Sequence, residues 1–400
     1  MIPQGWKEKT LGEVCIVERG SSPRPIKNFI TDDGSGVNWI KIGDCSGKYV
    51  TSTAQKITEE GAKKSRHVKE GDFVISNSMS YGKPYILKID GYIHDGWFVL
   101  RLNKNLVNAD YFYYLLSSNY VKEQYDALAT GAIVQNISSD LIKRVQFNLP
   151  PLSEQERIVA KLDKAFEAID KVKANAEKNL TNTKELFESA LSNIFINLNF
   201  KPIKLCELAD VNSGYAFKSN SFTEKGEYQV LRLGNVKQGF LRLSSNPVYV
   251  NNMTKDILEK SLLSKGDAVI TQTGTKNKRD YGFVAIVDKD DLLLNQRLAM
   301  VKFKEKLLPQ YFYYYSYTST YKDDFFANEG GAVGQGNIGL NDIKNLTIPY
   351  VSLSEQQKIV EKLDALQEQT KQLEAIYTQK IKECDELKQS ILQKAFRGEL

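Results

Sequence analysis

"LSEQERIVAKLD" at residues 152–163 and "LSEQQKIVEKLD" at residues 353–364 share nine of twelve positions, 201 residues apart. Two such copies in a 400-residue chain indicate one unit written twice. Other pairs keep the same order. "KEGDFVIS" (69–76) answers "SKGDAVIT" (264–271), "DYFYYLLSSNYV" (110–121) answers "QYFYYYSYTSTY" (310–321), and "ELFESAL" (185–191) answers "ELKQSIL" (386–392). The segments expected from this pattern are 1–150, 151–199, 200–350 and 351–400, each weakly matched region being followed by a well matched one.

The well matched segments read as long helices. Pro150, Pro151 and Pro349 mark their starts, because the residue before a proline is pushed out of the helical region. Ser153 with Glu156, and Ser354 with Gln357, have the spacing of a capping box. No Pro or Gly interrupts 152–200 or 351–397. Apolar residues recur every three or four positions at Ile158, Leu162, Ala165, Ile169, Val172, Ala176, Leu186 and Ala190. The second copy has Ile359, Leu363, Leu366, Leu373, Tyr377, Cys384, Leu387 and Ile391. This is heptad spacing, and the other copy is the nearest partner able to cover such a stripe. Asn179, Thr183, Thr370 and Lys380 predict an imperfect seam.

The larger segments read as α/β. Strands are expected at 73–76, 97–102, 268–273 and 298–304. The Tyr/Phe-rich stretches 111–125 and 311–321 read as short helices whose rings belong to the core, with a base-stacking platform as the second reading.

The net charge of +5 is unevenly distributed. Residues 1–150 carry 19 basic against 16 acidic side chains and 199–350 carry 20 against 16, whereas 151–198 (7 against 8) and 351–400 (8 against 9) are balanced. That distribution suits two domains facing a polyanion, joined by helices of mixed charge. No apolar run is long enough to span a membrane, and the first residues, "MIPQGWKEKTLGEV", lack the apolar centre of a signal peptide, so a cytoplasmic protein is expected. Cys15, Cys45, Cys206 and Cys384 are scattered, and His67 and His94 are the only histidines. Reduced thiols and no metal centre are therefore expected.

Catalytic motifs are imitated rather than present. "GQGNIG" (334–339) matches a dinucleotide fingerprint by letter, but it follows "DDFFANEGGAV" instead of a buried strand, and its counterpart "VQNISS" has no glycine. "NLPPL" (148–152) looks like the Asn/Asp-Pro-Pro-aromatic motif of amino-methyltransferases. Leu149 intervenes, however, and Leu152 stands where the aromatic would be. The acidic pairs at 32–33, 290–291 and 323–324 lie in loop-like surroundings. With no nucleophile–base constellation, the chain is expected not to be an enzyme. The residues alone leave open a stand-alone DNA-binding regulator, a coiled-coil scaffold or an enzyme without a familiar motif.

The two "LSEQ…IV.KLD" openings, the stretches "GAIVQNIS" and "GAVGQGNI" before them, and the ending "ELKQSILQKAFRGEL" (386–400) resemble the specificity subunits of type I restriction–modification systems over essentially the whole chain. The resemblance implies two tandem-duplicated α/β target recognition domains separated by two long helices forming an antiparallel coiled coil, with pseudo-two-fold symmetry. It also implies double-stranded DNA with a bipartite target, two adenine N6-methyltransferase subunits docked on the repeated helices, and restriction subunits that join them. S-adenosylmethionine would sit on the methyltransferases and no cofactor on this chain.

DNA-contact candidates are basic or amide-bearing residues and their polar neighbours in polar loops. In the first domain these are Arg19, Ser21, Arg24 and Lys27 in "ERGSSPRPIK", and Asn77, Ser78, Tyr81 and Lys83 in "SNSMSYGK". In the second they are Lys218, Arg232, Thr273, Thr275, Lys276, Lys278, Arg279 and Arg297. Gln135 and Gln335 occupy matching loops, where support for the helix start and a phosphate contact are equally compatible readings.

Overall fold

The two repeated segments fold as single helices of 45 residues, Leu152–Ile196 and Leu353–Arg397, in a computed structural model that describes residues 3–77, 82–129 and 138–400. Their starts differ from the expected capping box. Leu152 and Leu353 are already helical, which places Ser153 and Ser354 inside the first turn. At the second start the cap is Ser352, whose Oγ accepts the Glu355 N–H at 3.3 Å. At the first start the Pro151 carbonyl accepts the N–H groups of Glu154 and Gln155.

The expected apolar stripe is only partly buried. Ile158, Leu162, Ile169 and Ala176 are buried, as are Ile359, Leu363 and Cys384, but Val172, Leu186, Leu373 and Leu387 are exposed. Toward each helix end the buried row shifts to Phe187, Leu191 and Phe195, and to Leu392, Ala395 and Phe396. These residues pack into the cores of globular domains, so the domain surface selects the buried face there. The Thr183 and Thr370 hydroxyls donate back to the carbonyls of Asn179 and Leu366, which satisfies them without a cross-helix partner.

The chain folds into two compact units: one runs to Glu177 and includes Gln379–Leu400, and the other is Lys178–Thr378. In the first unit the two helices run antiparallel, because Asp170 pairs with Lys388 at 2.5 Å while Lys173 pairs with Asp385 at 2.7 Å.

Each unit contains the same pair of sheets. In the first, one sheet has the order Cys15–Arg19, Trp97–Leu102, Phe73–Ser76, Pro84–Leu87, Tyr49–Val50. The other has the order Ile30–Thr31, Gln55–Ile57, Val37–Ile40, Gly91–Ile93, Arg66–Val68. The second unit has Ala209–Ser213, Leu298–Phe303, Ala268–Thr271, Val284–Ile286, and then Tyr249–Val250, Tyr228–Leu231, Leu292–Leu294, Leu262–Leu263. A parallel pair lies inside each second sheet, with Trp39 opposite Tyr92 and Val230 opposite Leu293. The first unit adds the outer strands Ile30–Thr31 and Tyr49–Val50. All four expected strands are present, although the third stops at Thr271.

The runs "FVIS" and "AVIT" are apolar on both faces because each lies in a middle layer. Phe73 and Ile75 face the core shared with the Tyr/Phe helices, while Val74 faces the second sheet beside Trp97 and Val99. Ala268 and Ile270 likewise face one core and Val269 the other. The Tyr/Phe segments are pairs of short helices, Ala109–Leu116 with Asn119–Ala129 and Pro309–Tyr315 with Ser319–Phe326. Tyr111, Phe112, Tyr125, Tyr311, Phe312, Tyr314 and Tyr321 are buried, so these rings are core.

The repeated "LSEQ…KLD" stretch is the socket that joins helix to domain. Gln155 is buried. Its Oε1 accepts the Asn108 N–H at 2.7 Å, and its Nε2 donates to the carbonyls of Leu106 (3.0 Å) and Pro150 (2.9 Å). Gln356 repeats the arrangement with the Leu308 N–H and the carbonyls of Lys306 and Val351, at 2.9, 3.0 and 2.9 Å. Asn108 and Leu308 directly precede the first Tyr/Phe helix of their domains, so each glutamine fixes that helix's start. Two turns further along each long helix, Tyr114 donates to Asp163 and Tyr314 to Asp364, both at 2.5 Å. The opposite wall is also repeated: Tyr111 packs edge-on against Phe396, and Tyr311 packs tilted against Phe195, with ring centroids 5.4 Å apart in each case. The endings "ESALSNIFINLNF" and "QSILQKAFRGEL" differ in letters but place equivalent phenylalanines.

Candidate nucleic-acid interface

In each domain three loops meet beside the second sheet. The first follows the outer strand Cys15–Arg19 or Ala209–Ser213 and begins with a glycine. Gly20 donates to the Trp97 carbonyl and Gly214 to the Leu298 carbonyl. A Cβ at Gly20 would lie 1.9 Å from the His94 carbonyl oxygen, and one at Gly214 would lie 2.2 Å from that of Asn295. No other residue fits at either position. The second loop, 94–96 or 295–297, is the one these glycines approach. The third is a short 3₁₀ turn, Ile42–Asp44 after Lys41 or Leu233–Asn235 after Arg232. It is closed when the Lys41 N–H donates to Asp44 (2.8 Å) or the Arg232 N–H to Asn235 (3.0 Å). "KIGD" and "RLGN" are thus the same turn, each opening with a basic residue.

The first domain's loops line a groove of about 590 Å³ bounded by Ser22, Arg24, Lys27, Trp39, Lys41, His94 and Asp95, among others. Asp95 organises it. Its carboxylate accepts from the Ser22 hydroxyl at 2.7 Å and from Arg24 at 3.0 Å, and its carbonyl accepts from Arg19 (3.1 Å) and Asn77 (2.9 Å). The Ser22 hydroxyl and, less strongly, the Arg24 guanidinium outweigh burial and hold this carboxyl below its ordinary range. Burial pushes the His94 imidazole down, and its Nδ1 accepts the Gly96 N–H at 2.9 Å.

Five first-domain candidates therefore have defined places. Arg24 and Lys27 line the groove, while Arg19 and the buried Asn77 buttress its Asp95 wall. Ser21 donates to the Lys64 carbonyl nearby. Lys83 lies elsewhere, in a separate cavity of about 660 Å³ with Tyr113 and Lys122. Ser78, Tyr81 and Gln135 lie outside the described residues.

The second domain's groove, about 410 Å³, is lined by Arg232, Leu233, Gly234, Asn235, Ser245, Asn246, Asn295, Gln296 and Arg297. Arg232 and Arg297 are thus brought together, although 65 positions separate them. The other candidates are not part of it. Thr273 and Thr275 belong to the strand Thr273–Thr275, which pairs antiparallel with the distant strand Gln335–Asn337, so the "GQGNIG" segment is a paired strand rather than a phosphate loop. Thr275 is tied to Asp280 by its hydroxyl and its N–H, both at 2.7 Å. Arg279 pairs with Asp323 at 3.0 Å over the Phe326 ring, Lys276 and Lys278 share its loop, and exposed Lys218 precedes a 3₁₀ turn.

Sequence reasoning missed Lys41, His94, Asp95, Asn246, Asn295 and Gln296. The matched "KIGD" and "RLGN" could have shown the shared turn. Residues 94–96 and 295–297 have nothing in common by letter, and only their place before strands Trp97–Leu102 and Leu298–Phe303 equates them.

The model of the family described as "Type I restriction modification DNA specificity domain" matches residues 3–182 and 197–383. The specificity subunit of the EcoKI type I restriction enzyme of Escherichia coli (strain K12) is 24% identical, covering 100% of this chain and 90% of the relative. That of the StySPI enzyme of Salmonella potsdam is 23% identical with the same coverage. Among solved structures, one described by the assembly and conformational transition of the type I R–M system shares the fold at a TM-score of 0.78 and 22% identity, over 100% of both chains. The HsdS subunit from Thermoanaerobacter tengcongensis does so at 0.57 and 21%, over 100% of this chain and 98% of that one. Among the described residues no helix is long and apolar enough to cross a membrane.

Proposed function

This chain belongs to the type I restriction–modification DNA specificity family, and on that premise we propose that each of its domains reads one half of a bipartite target through its three-loop groove. The observation that carries this reading is the pair of grooves. They recur at the same topological place with a basic residue at the same turn, yet their remaining linings differ. Equivalent frames with unlike side chains suit two readers of unlike sequence, since base-edge contacts specify and the frame only positions them.

The chain itself supplies no catalysis in this account. Adenine N6-methylation comes from two methyltransferase subunits, which carry S-adenosylmethionine, and cleavage comes from restriction subunits. The exposed apolar residues of the long helices support two equivalent docking sites. Val172 and Leu373 are 201 positions apart, as are Leu186 and Leu387, and all four are solvent-exposed. The first unit contains Val172 with Leu387, at nearly the same level of its antiparallel pair, and the second contains Leu186 with Leu373. Duplicated surfaces are what two identical subunits require. The uninterrupted helices, about 68 Å long at 1.5 Å per residue, act as the ruler between half-sites.

The test is a map of adenine methylation in cells expressing this chain with its methyltransferase subunits. A two-part motif with an unread gap is expected, and one extra helical turn in both long helices should change the gap or abolish recognition. Methylation by the chain alone, a contiguous motif, or a gap indifferent to the insertion would contradict the proposal.

A further inference from the structure

We infer that Arg297 reads a guanine in the half-site bound by the second domain, an inference that rests on the groove being the DNA-reading face. Arg297 has φ +67°, in the left-handed region that side chains other than Asn, Asp and Gly rarely enter. Among the described residues, six non-glycine positions have such a φ, and four of them are Asn or Asp. The other two are arginines. Arg279 has a visible local anchor in Asp323 and the Phe326 ring. Arg297 has none: among the described residues its exposed guanidinium takes no hydrogen-bond or ion-pair partner. The first domain has Gly96 at the equivalent place, outside the left-handed region, so the repeated frame requires neither an arginine nor a positive φ there.

The backbone beneath this side chain is fixed. The Arg297 carbonyl accepts the Gln272 N–H at 3.0 Å, and the neighbouring Gln296 N–H donates to the Tyr215 carbonyl at 2.9 Å. Arg232, across the same groove, is already engaged by the Asn246 carbonyl at 2.5 Å. Among the described residues no carboxylate lines this groove, whereas in the first domain Asp95 holds Arg24. The second groove therefore presents, among the described residues, one planar donor fork without a protein partner, on a backbone held by hydrogen bonds. The base edge that matches such a fork is the O6/N7 edge of guanine in the major groove.

The experiment compares methylation motifs of the wild-type complex, with its methyltransferase subunits, with those of complexes carrying Arg297→Ala or Arg297→Gly. The glycine variant removes the backbone strain and leaves folding unchallenged, which thermal unfolding of both variants monitors. A bipartite wild-type motif is the precondition; if it fails, the functional reading fails rather than this assignment. The expected result is loss of discrimination at one G·C position, by roughly ten- to hundredfold, in one half of the motif, with the other half unchanged. An unchanged motif in both variants, or uniformly weaker methylation of all sites as from a lost phosphate contact, would overturn it. So would a second-domain half-site without a G·C pair.

Discussion

The socket beneath each Tyr/Phe helix and the groove formed by each trio of loops both occur twice, and they diverge in opposite ways. In the sockets, Gln155 and Gln356 make the same three hydrogen bonds, and Asp163 and Asp364 receive the same tyrosine hydroxyl. In the grooves the backbone frame is repeated down to the glycine that admits no Cβ, while the loop residues change from His-Asp-Gly to Asn-Gln-Arg. A buried glutamine with every polar atom satisfied tolerates little change, because a substitute strands several backbone groups at once. A loop whose shape is set by backbone contacts can exchange its side chains. The duplication therefore preserves attachment and leaves the groove lining free to diverge.

The largest effect is expected at the socket. Gln356→Leu leaves the Leu308 N–H and the carbonyls of Lys306 and Val351 without their partner, which should cost about 2–4 kcal/mol. For a unit of this size that lowers Tm by roughly 4–15 °C in calorimetry, while the methylated motif of the folded complex stays the same. A changed motif would erase the distinction between socket and groove.

A smaller effect is expected on the helix surface. Leu387→Asp, at an exposed position, should leave Tm within about 1 °C yet weaken methyltransferase-subunit binding by roughly tenfold or more in titration calorimetry. Unchanged affinity would move the docking face elsewhere.

The smallest effect concerns Asp95. Its carboxyl is held below 3.8, so its contribution to folding is present above that value and is lost as pH falls through the lower folded-state value. Asp95→Asn should therefore flatten the acid limb of stability below about pH 4 and, in the complex, alter only the half-site read by the first domain. An identical acid limb would show that the Ser22 and Arg24 contacts contribute nothing there.

The repeat, the two long helices and the core role of the Tyr/Phe segments were legible because identity at a fixed offset and helical periodicity are local signals. The socket was not. Its glutamines sit among charged residues on a helix start, where no local signal marks them, and only the fold brings Leu106 and Lys306 to them. The capping serines misled because proline and serine two positions earlier already close the first turn. The grooves were half legible: Arg24, Lys27, Arg232 and Arg297 were found by residue type, whereas Asp95 and Lys41 enter only when the sheets bring distant loops together. Thr273, Thr275 and Arg279 looked equally suitable by type, but the strand pairing with Gln335–Asn337 and the Asp280 and Asp323 contacts occupy them.

The central claim is that the two domains read independently from a shared frame. Its most direct test replaces residues 1–150 with the first domain of another family member and maps adenine methylation in the assembled complex. The account predicts that one half of the motif changes, while the other half keeps its sequence. A change in both halves, or in neither, would contradict it.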